Sequence, residues 1–429
     1  MVRVSRPMTE WRVVIWFGLV SLTADMVYEG ARSMYGPLLA SLGATALVVG
    51  LVTGLGEAMA LVLRLVFGPL ADRSGRYWAL TITGYGLTAV CVPLLAITPF
   101  IGAAGLAVAA ALILLERSGK AVRSPSKSTL LAQAARGVGR GKGFGVQKAM
   151  DQVGAFAGPL LVAAVVAATG VIWPGMLVLA VPGVGAMIIL LVLRARTRDG
   201  AVFEGLPEAR PVADHESQHS GIRHRGPART WLADALGREL PAEFFRFAVA
   251  ASLTTGGLVT FGIIGYHLVA DRVVPAAGVP LIYAVAMAVG AVSALGVGWV
   301  YDHVGARVLL VVPVLVAAVP SLTLSESTSV VVMGVVVWGL AAGVQDSAVK
   351  ALVAELVNAP RRATAYGVFA GIQGAFAVVG GVVIGWLYDV SRPALVATVA
   401  ASQLLALALL WHTVRRTDHE SRPRLRPEG

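Results

Sequence analysis

Apolar runs of about 20 residues, each long enough to cross the roughly 30 Å hydrocarbon core of a bilayer, recur along the chain from Trp11 to Val414. Short polar breaks separate most of them. Twelve runs are predicted to span: 12–39, 45–68, 77–98, 101–122, 143–168, 173–193, 242–268, 277–300, 307–324, 329–350, 365–388 and 393–413. One longer polar break, 194–240, divides six runs from six. The pattern predicts an all-α integral membrane protein with an N-terminal six-helix bundle over 1–193, a cytoplasmic linker over 194–240, a C-terminal six-helix bundle over 241–414 and a cytoplasmic tail over 415–429.

Composition agrees with the pattern: 57% of residues are hydrophobic and 14% charged, with a mean hydropathy of +0.76, too apolar for a water-soluble domain of this length. The net charge of +11 is carried largely by breaks on one side. Arg3, Arg6, Arg73, Arg76, Lys120, Arg123, Lys127, Arg136, Arg140, Lys142, the linker arginines, Arg361, Arg362, Arg415 and Arg416 all fall there if every run spans. The opposite loops carry only Arg272 and Arg392. Positive-inside bias then places both termini in the cytoplasm, and the basic balance needs no nucleic-acid partner. The lone Cys91 lies within the third run, and the first run reaches Asp25 and Glu29 without a small-residue cleavage site, so it reads as an uncleaved span.

His215, His219 and His224 sit in the linker and read as solvated positions, not as a metal site. The glycine-rich stretch RGVGRGKG at 136–143 lacks the spacing of a phosphate loop, and no metalloprotease or nucleophile-elbow motif occurs. Neither an enzyme nor a cofactor is expected.

The second run closes on a charged turn, GPLADRSGRYW, and the eighth closes on a near copy, GWVYDHVGARV. Gly68, Asp72 and Gly75 recur as Gly298, Asp302 and Gly305, each 230 positions on. A second echo, offset by 222 positions, relates Gly145 and Gly158 to Gly367 and Gly380. The chain is therefore an internal repeat of two parallel six-span halves, the plan of many secondary transporters.

The set Gly68, Asp72, Arg73, Gly75 and Arg76, with its degenerate copy through Arg307, resembles the loop 2–3 signature of the major facilitator superfamily. That resemblance implies a twelve-helix fold of two pseudo-symmetric bundles. It also implies a cytoplasmic latch, in which Asp72 faces a helix N-terminus and the arginines pair with acids. Gly145, Gly154, Gly158 and Pro159 are similar to the fifth-span pattern of the family's drug/proton antiporters, although Val162 and Ala163 stand where those carry Gly-Gly. Plain small-residue helix packing accounts for the same spacing.

Ionisable residues inside spans are costly, so each must face protein or water. The third, sixth and twelfth runs hold none, and the ninth holds only Arg307 at its edge. Asp25, Glu29 and Arg32 share one face of the first run, and Glu57 and Arg64 one face of the second. Glu116 and Arg117 lie in the fourth and Asp151 in the fifth. These residues are candidates for proton coupling or substrate handling, or for a structural ion-pair network. Glu116 and Arg117 suit either a cavity or a gate. The resemblance makes the tenth run a cavity helix, and Trp338, Gln345 and Asp346 on it become candidate substrate contacts. His267 is expected at an interfacial position near the outer end of the seventh run.

The expected function is secondary active transport of a small molecule by alternating access, driven by protons, in a monomer of the plasma membrane. Export by antiport, import of a metabolite or organic anion by symport, and a non-transporting sensor are the competing forms.

Overall fold

The computed structural model describes residues 9–197, 240–357 and 362–420. Within them the regular elements are helices, and twelve are long and apolar enough to cross a membrane. In chain order these spans are Glu10–Arg32, Ala46–Ser74, Tyr77–Phe100, Gly102–Ala134, Arg140–Thr169, Trp173–Thr197, Ala242–Ala270, Gly278–Tyr301, Gly305–Thr323, Thr328–Gln345, Thr364–Val390 and Arg392–Arg415. Much of the linker, and with it His215, His219 and His224, lies outside the described residues.

Two boundaries move for reasons that bear on the site. The fourth span does not stop at 122 but continues as one helix from Gly105 to Ala134. Lys120, Arg123 and Lys127 are thereby helical residues with partners inside the protein, not loop charges. The seventh span breaks after Gly257 and resumes at Phe261. Its interruption frees backbone groups that hydrocarbon could not satisfy, and the indole Nε1 of Trp338 donates to the Val259 carbonyl at 2.8 Å.

The helices gather into two compact units. The first takes in the helices of Met1–Gly43 and Met59–Arg238 with Ala276–Ala284; the second takes in those of Ala44–Ala58, Glu239–Pro275 and Val285–Gly429. Each is built around its most enclosed helix. The first and seventh spans bury 61% and 72% of their central windows, whereas the eighth buries 22%.

Lipid is as apolar as leucine, so close packing and hydrogen bonds must hold such helices together. In the first unit the fifth span lies along the first. A Cβ on Gly154 would fall on the Leu22 carbonyl oxygen, and one on Gly158 on that of Met26. In the second unit the eleventh span approaches the seventh in the same way, with Gly380 on the Gly256 carbonyl. An apolar plug of Val13, Phe17, Ala71, Tyr77, Leu130 and Leu193 closes one end of the first unit.

The two copies of the charged turn share a backbone device. Gly75 and Gly305 have φ of 62° and 67°, left-handed values that only glycine adopts at little cost. Each reverses the chain straight into the next span.

Candidate functional site

The polar interior of the first unit is assembled on the first, fourth and fifth spans. Ser21, Asp25, Tyr28 and Glu29 recur at three- and four-residue steps on the first span and so share one face. Lys120 and Lys127, two turns apart on the fourth span, share another. The faces meet in register: Lys127 Nζ donates to Ser21 Oγ at 3.2 Å, and Lys120 Nζ stands 3.6 Å from the centre of the Tyr28 ring. Asp25 lies on the first span between Ser21 and Tyr28.

The carboxyl of Asp25 faces that of Asp151 on the fifth span, and the two like charges interact. The glycine contacts at Gly154 and Gly158 hold the two helices close enough for two short carboxyl side chains to touch. Asp151 also accepts from Gln147 Nε2 at 3.2 Å and pairs with the mostly exposed Lys148 at 3.1 Å; Gln147 Nε2 in turn donates to Ser21 Oγ at 3.0 Å.

A second cluster lies farther along the same helices. Arg117 is almost wholly buried, its guanidinium 4.7 Å from the Tyr28 ring centre and 5.7 Å from that of Tyr35, with Nε 3.9 Å from Glu116. Glu116, also buried, accepts from Tyr35 at 3.4 Å and from Thr88 at 3.2 Å. Arg123 donates to the same Thr88 hydroxyl at 2.5 Å and stacks on Tyr85. Glu29 pairs with Arg32 at 3.7 Å and accepts a 2.5 Å hydrogen bond from Tyr283, which belongs to the same unit.

Of the other residues singled out in the sequence, Glu57 and Arg64 are half-buried on the second span and both have partners. Asp72, Arg73 and Arg76 are exposed, and Asp72 accepts from the Tyr77 hydroxyl at 3.0 Å. A Cβ on Gly68, Gly298 or Gly145 would meet open space. Pro159 is buried within an unbroken helix, Arg307 is exposed, and the side chains of Asp302 and Asp346 lie outside the described residues.

The second unit is polar in a different way. Besides the Trp338 bond, Gln345 Nε2 donates to Thr254 at 2.8 Å, Gln373 Nε2 to Thr255 at 3.0 Å, and Gln403 Nε2 to the Leu253 carbonyl at 3.1 Å. Gln345 and Thr254 line a small cavity of about 10 Å³ with Phe247, Leu309 and Leu410.

His267 departs from the interfacial expectation. Its ring is fully buried, with Nδ1 3.0 Å from the Tyr388 hydroxyl and 3.4 Å from Asp271, and Nε2 3.1 Å from the Ser325 carbonyl. A carbonyl only accepts, so Nε2 carries a proton. Arg392 completes the cluster at 2.6 Å from Asp271. Nearby in sequence, Asp389 accepts from the Ala46 and Leu47 amides and caps the second span.

Comparison with known proteins bears on what such an assembly belongs to. The model of the Major Facilitator Superfamily matches residues 17–325 and again 244–429. An uncharacterized protein of Mycobacterium tuberculosis is 48% identical over 409 residues, covering 95% of this chain and 94% of its own. Among solved structures, a variant of the nucleoside transporter NupG superposes with a TM-score of 0.70 at 14% identity, over 94% of this chain and 99% of that one. A POT family transporter in complex with 5-aminolevulinic acid gives 0.71 at 11% identity, over 96% and 97%. At such identities the likeness is one of fold. Together with twelve spans and a repeated charged turn, the match along the whole chain makes this protein a multi-pass membrane transporter belonging to the Major Facilitator Superfamily.

Proposed function

We propose that the protein is a proton-coupled secondary transporter, and that the Asp25–Asp151 pair is the group that loads and releases the proton. The pair itself carries the reading. Two carboxyl groups facing each other in a protein interior favour a single proton between them, because charging both would set two like charges side by side. A site that gains and loses one proton without unfolding is what coupling to a pH gradient requires.

The remaining assignments follow from that centre. Glu29, Arg32, Glu116 and Arg117 form the ion-paired surround that fixes the first and fourth spans. Glu57 and Arg64 extend the polar path along the second span. Asp72, Arg73 and Arg76, with Asp302 and Arg307 in the copy, act as the cytoplasmic latch of alternating access. Gln345 and Trp338 belong to the second unit's contribution to cargo contact, Trp338 by holding the seventh-span break in shape. A monomer in the plasma membrane, with both termini cytoplasmic, suffices, since one chain supplies every member of the network.

Export by antiport draws its support from the fifth-span glycine pattern. Close packing against Leu22 and Met26 accounts for Gly154 and Gly158 without reference to direction. Import by symport draws support from the cations around the pair.

Purified protein in proteoliposomes, with an imposed pH gradient and a compound panel, tests the coupling and the direction together. Asp25→Asn and Asp151→Asn should each abolish uphill accumulation and leave exchange down the cargo's own gradient partly intact. Undiminished pH-driven accumulation in both variants would remove the pair from the coupling role.

A further inference from the structure

The charges joined in the first unit do not balance. Asp25, Glu29, Glu116 and Asp151 face Arg32, Arg117, Lys120, Arg123 and Lys127 through the contacts described above. Four carboxyl groups stand against five cations, and one proton on the Asp25–Asp151 pair, as proposed above, leaves three negative charges against five positive ones. Local pairing concentrates the surplus. Glu29 has Arg32, and Glu116 lies beside Arg117 and shares Thr88 with Arg123. Lys120 and Lys127, by contrast, have a ring face and a serine hydroxyl as their close contacts, and both draw on Asp25 for negative charge. Both lysines are half-buried, not sealed, and Arg117 stands behind them with its charge buried.

Surplus positive charge in a low-dielectric interior is unfavourable unless something negative joins it. We propose that Lys120 and Lys127 form the cargo site of this transporter, and that the cargo is a small organic anion carrying one or two negative charges. The lysines take the carboxylate or phosphate of such a molecule, and the buried Tyr28 ring holds Lys120 and Arg117 in place beside it. The coupling half of the proposal rests on the proton-site reading above. Asp25 is faced by Asp151 from the fifth span and by Lys120 and Lys127 from the fourth, with Glu29 one turn along its own helix. A proton on the pair removes negative charge that otherwise engages the lysines, and an anion on the lysines stabilises the proton. Proton and anion then bind together, each strengthening the other by the same factor. Such cooperativity is the signature of symport; competition between the two would be that of antiport.

The test uses three molecules of nearly one shape and different charge: benzoate, benzamide and benzylammonium, with inorganic phosphate as a non-aromatic anion. Thermal unfolding of the full chain in detergent is followed at constant ionic strength and at two pH values. Benzoate or phosphate should raise the unfolding temperature, more so at the lower pH, while benzamide and benzylammonium should not. Lys120→Gln and Lys127→Gln should weaken the apparent binding of the anions about tenfold or more. Lys120→Arg and Lys127→Arg should retain it, which separates lost charge from lost packing, and Lys142→Gln in the exposed start of the fifth span should change nothing. Equal stabilisation by all three shapes, or anion binding indifferent to both glutamine variants, would overturn the site. Asp25→Asn separates the two readings. If it keeps anion binding and loses only the pH dependence, both stand. If the wild type binds anions with no pH dependence, the site stands and the proton pair falls; if Asp25→Asn abolishes proton-driven transport while no anion binds, the reverse holds.

Discussion

The two units use one packing plan and opposite chemistry. At the offsets of the internal repeat, Met26 corresponds to Gly256 and Gly158 to Gly380, and the two glycines press on those two carbonyls in the same manner. One residue before Met26, Asp25 corresponds to Thr255, and two turns before Gly158, Asp151 corresponds to Gln373. The carboxyl pair of the first unit thus has as its counterpart a threonine–glutamine hydrogen bond of 3.0 Å. Duplication preserved how the helices touch, and the polar pair at the touching point diverged. A neutral amide–hydroxyl pair has no proton to exchange at physiological pH. On the reading proposed above, the difference would place proton chemistry in the first unit and leave this position of the second to packing.

The largest effect should come from breaking what the units share. Gly158→Leu and Gly380→Leu each place a whole side chain where a backbone oxygen already sits, a clash that no change of rotamer relieves. Both variants should lose the folded, monodisperse protein in size-exclusion chromatography, whereas Gly145→Leu, which meets open space, should not. A folded Gly380→Leu beside a lost Gly158→Leu would mean that the shared plan is only apparent.

A smaller effect should separate the charged interior from the neutral one. Arg123→Met removes a cation from the Thr88–Glu116 group and strands buried charge, a loss of about 3–5 kcal/mol. Glu116→Gln added to it should recover much of that stability, measured as the midpoint of thermal unfolding. Failure of the second change to rescue would show that Arg123 acts through its packing on Tyr85.

The smallest expected change is in the second unit. Gln373→Leu, or Thr255→Val, deletes one neutral hydrogen bond and should cost about 1 kcal/mol with the pH dependence of transport unaltered. A shifted pH profile in either would dissolve the division of labour between the units.

Much of the architecture was readable in the amino-acid sequence because membrane insertion imposes it: run length, the polar break and the repeated Gly–Asp turn are one-dimensional signals. The site was less readable. Helical spacing groups Asp25 with Glu29 on one helix but cannot say which residue of another helix it meets, and Asp151 lies 126 positions away. The repeat carries a clue, since its offsets set Asp25 and Asp151 against Thr255 and Gln373, polar residues at corresponding positions of both halves. Lys120, Arg123 and Lys127 were obscured for another reason. Basic residues at the end of an apolar run look like cytoplasmic anchors, and only the continuous helix to Ala134 reveals that they turn inward. His267 is similar: an imidazole near a span's end reads as interfacial until Tyr388, Asp271 and Ser325 close over it.

The glycine contacts also set how a signal can travel. A joint in which Cα lies against a carbonyl has no slack, and side chains that could slide past one another are missing from it. The first and fifth spans would therefore move as a single lever, and on the proton-coupled reading proposed above a proton arriving between Asp25 and Asp151 would not be registered by a shift of one against the other. The compliant parts at that spot are the long lysine side chains of the fourth span, whose four-carbon stems can swing by several ångströms while the helices stay fixed. Transmission from proton to cargo would then run through two flexible arms anchored on a rigid plate.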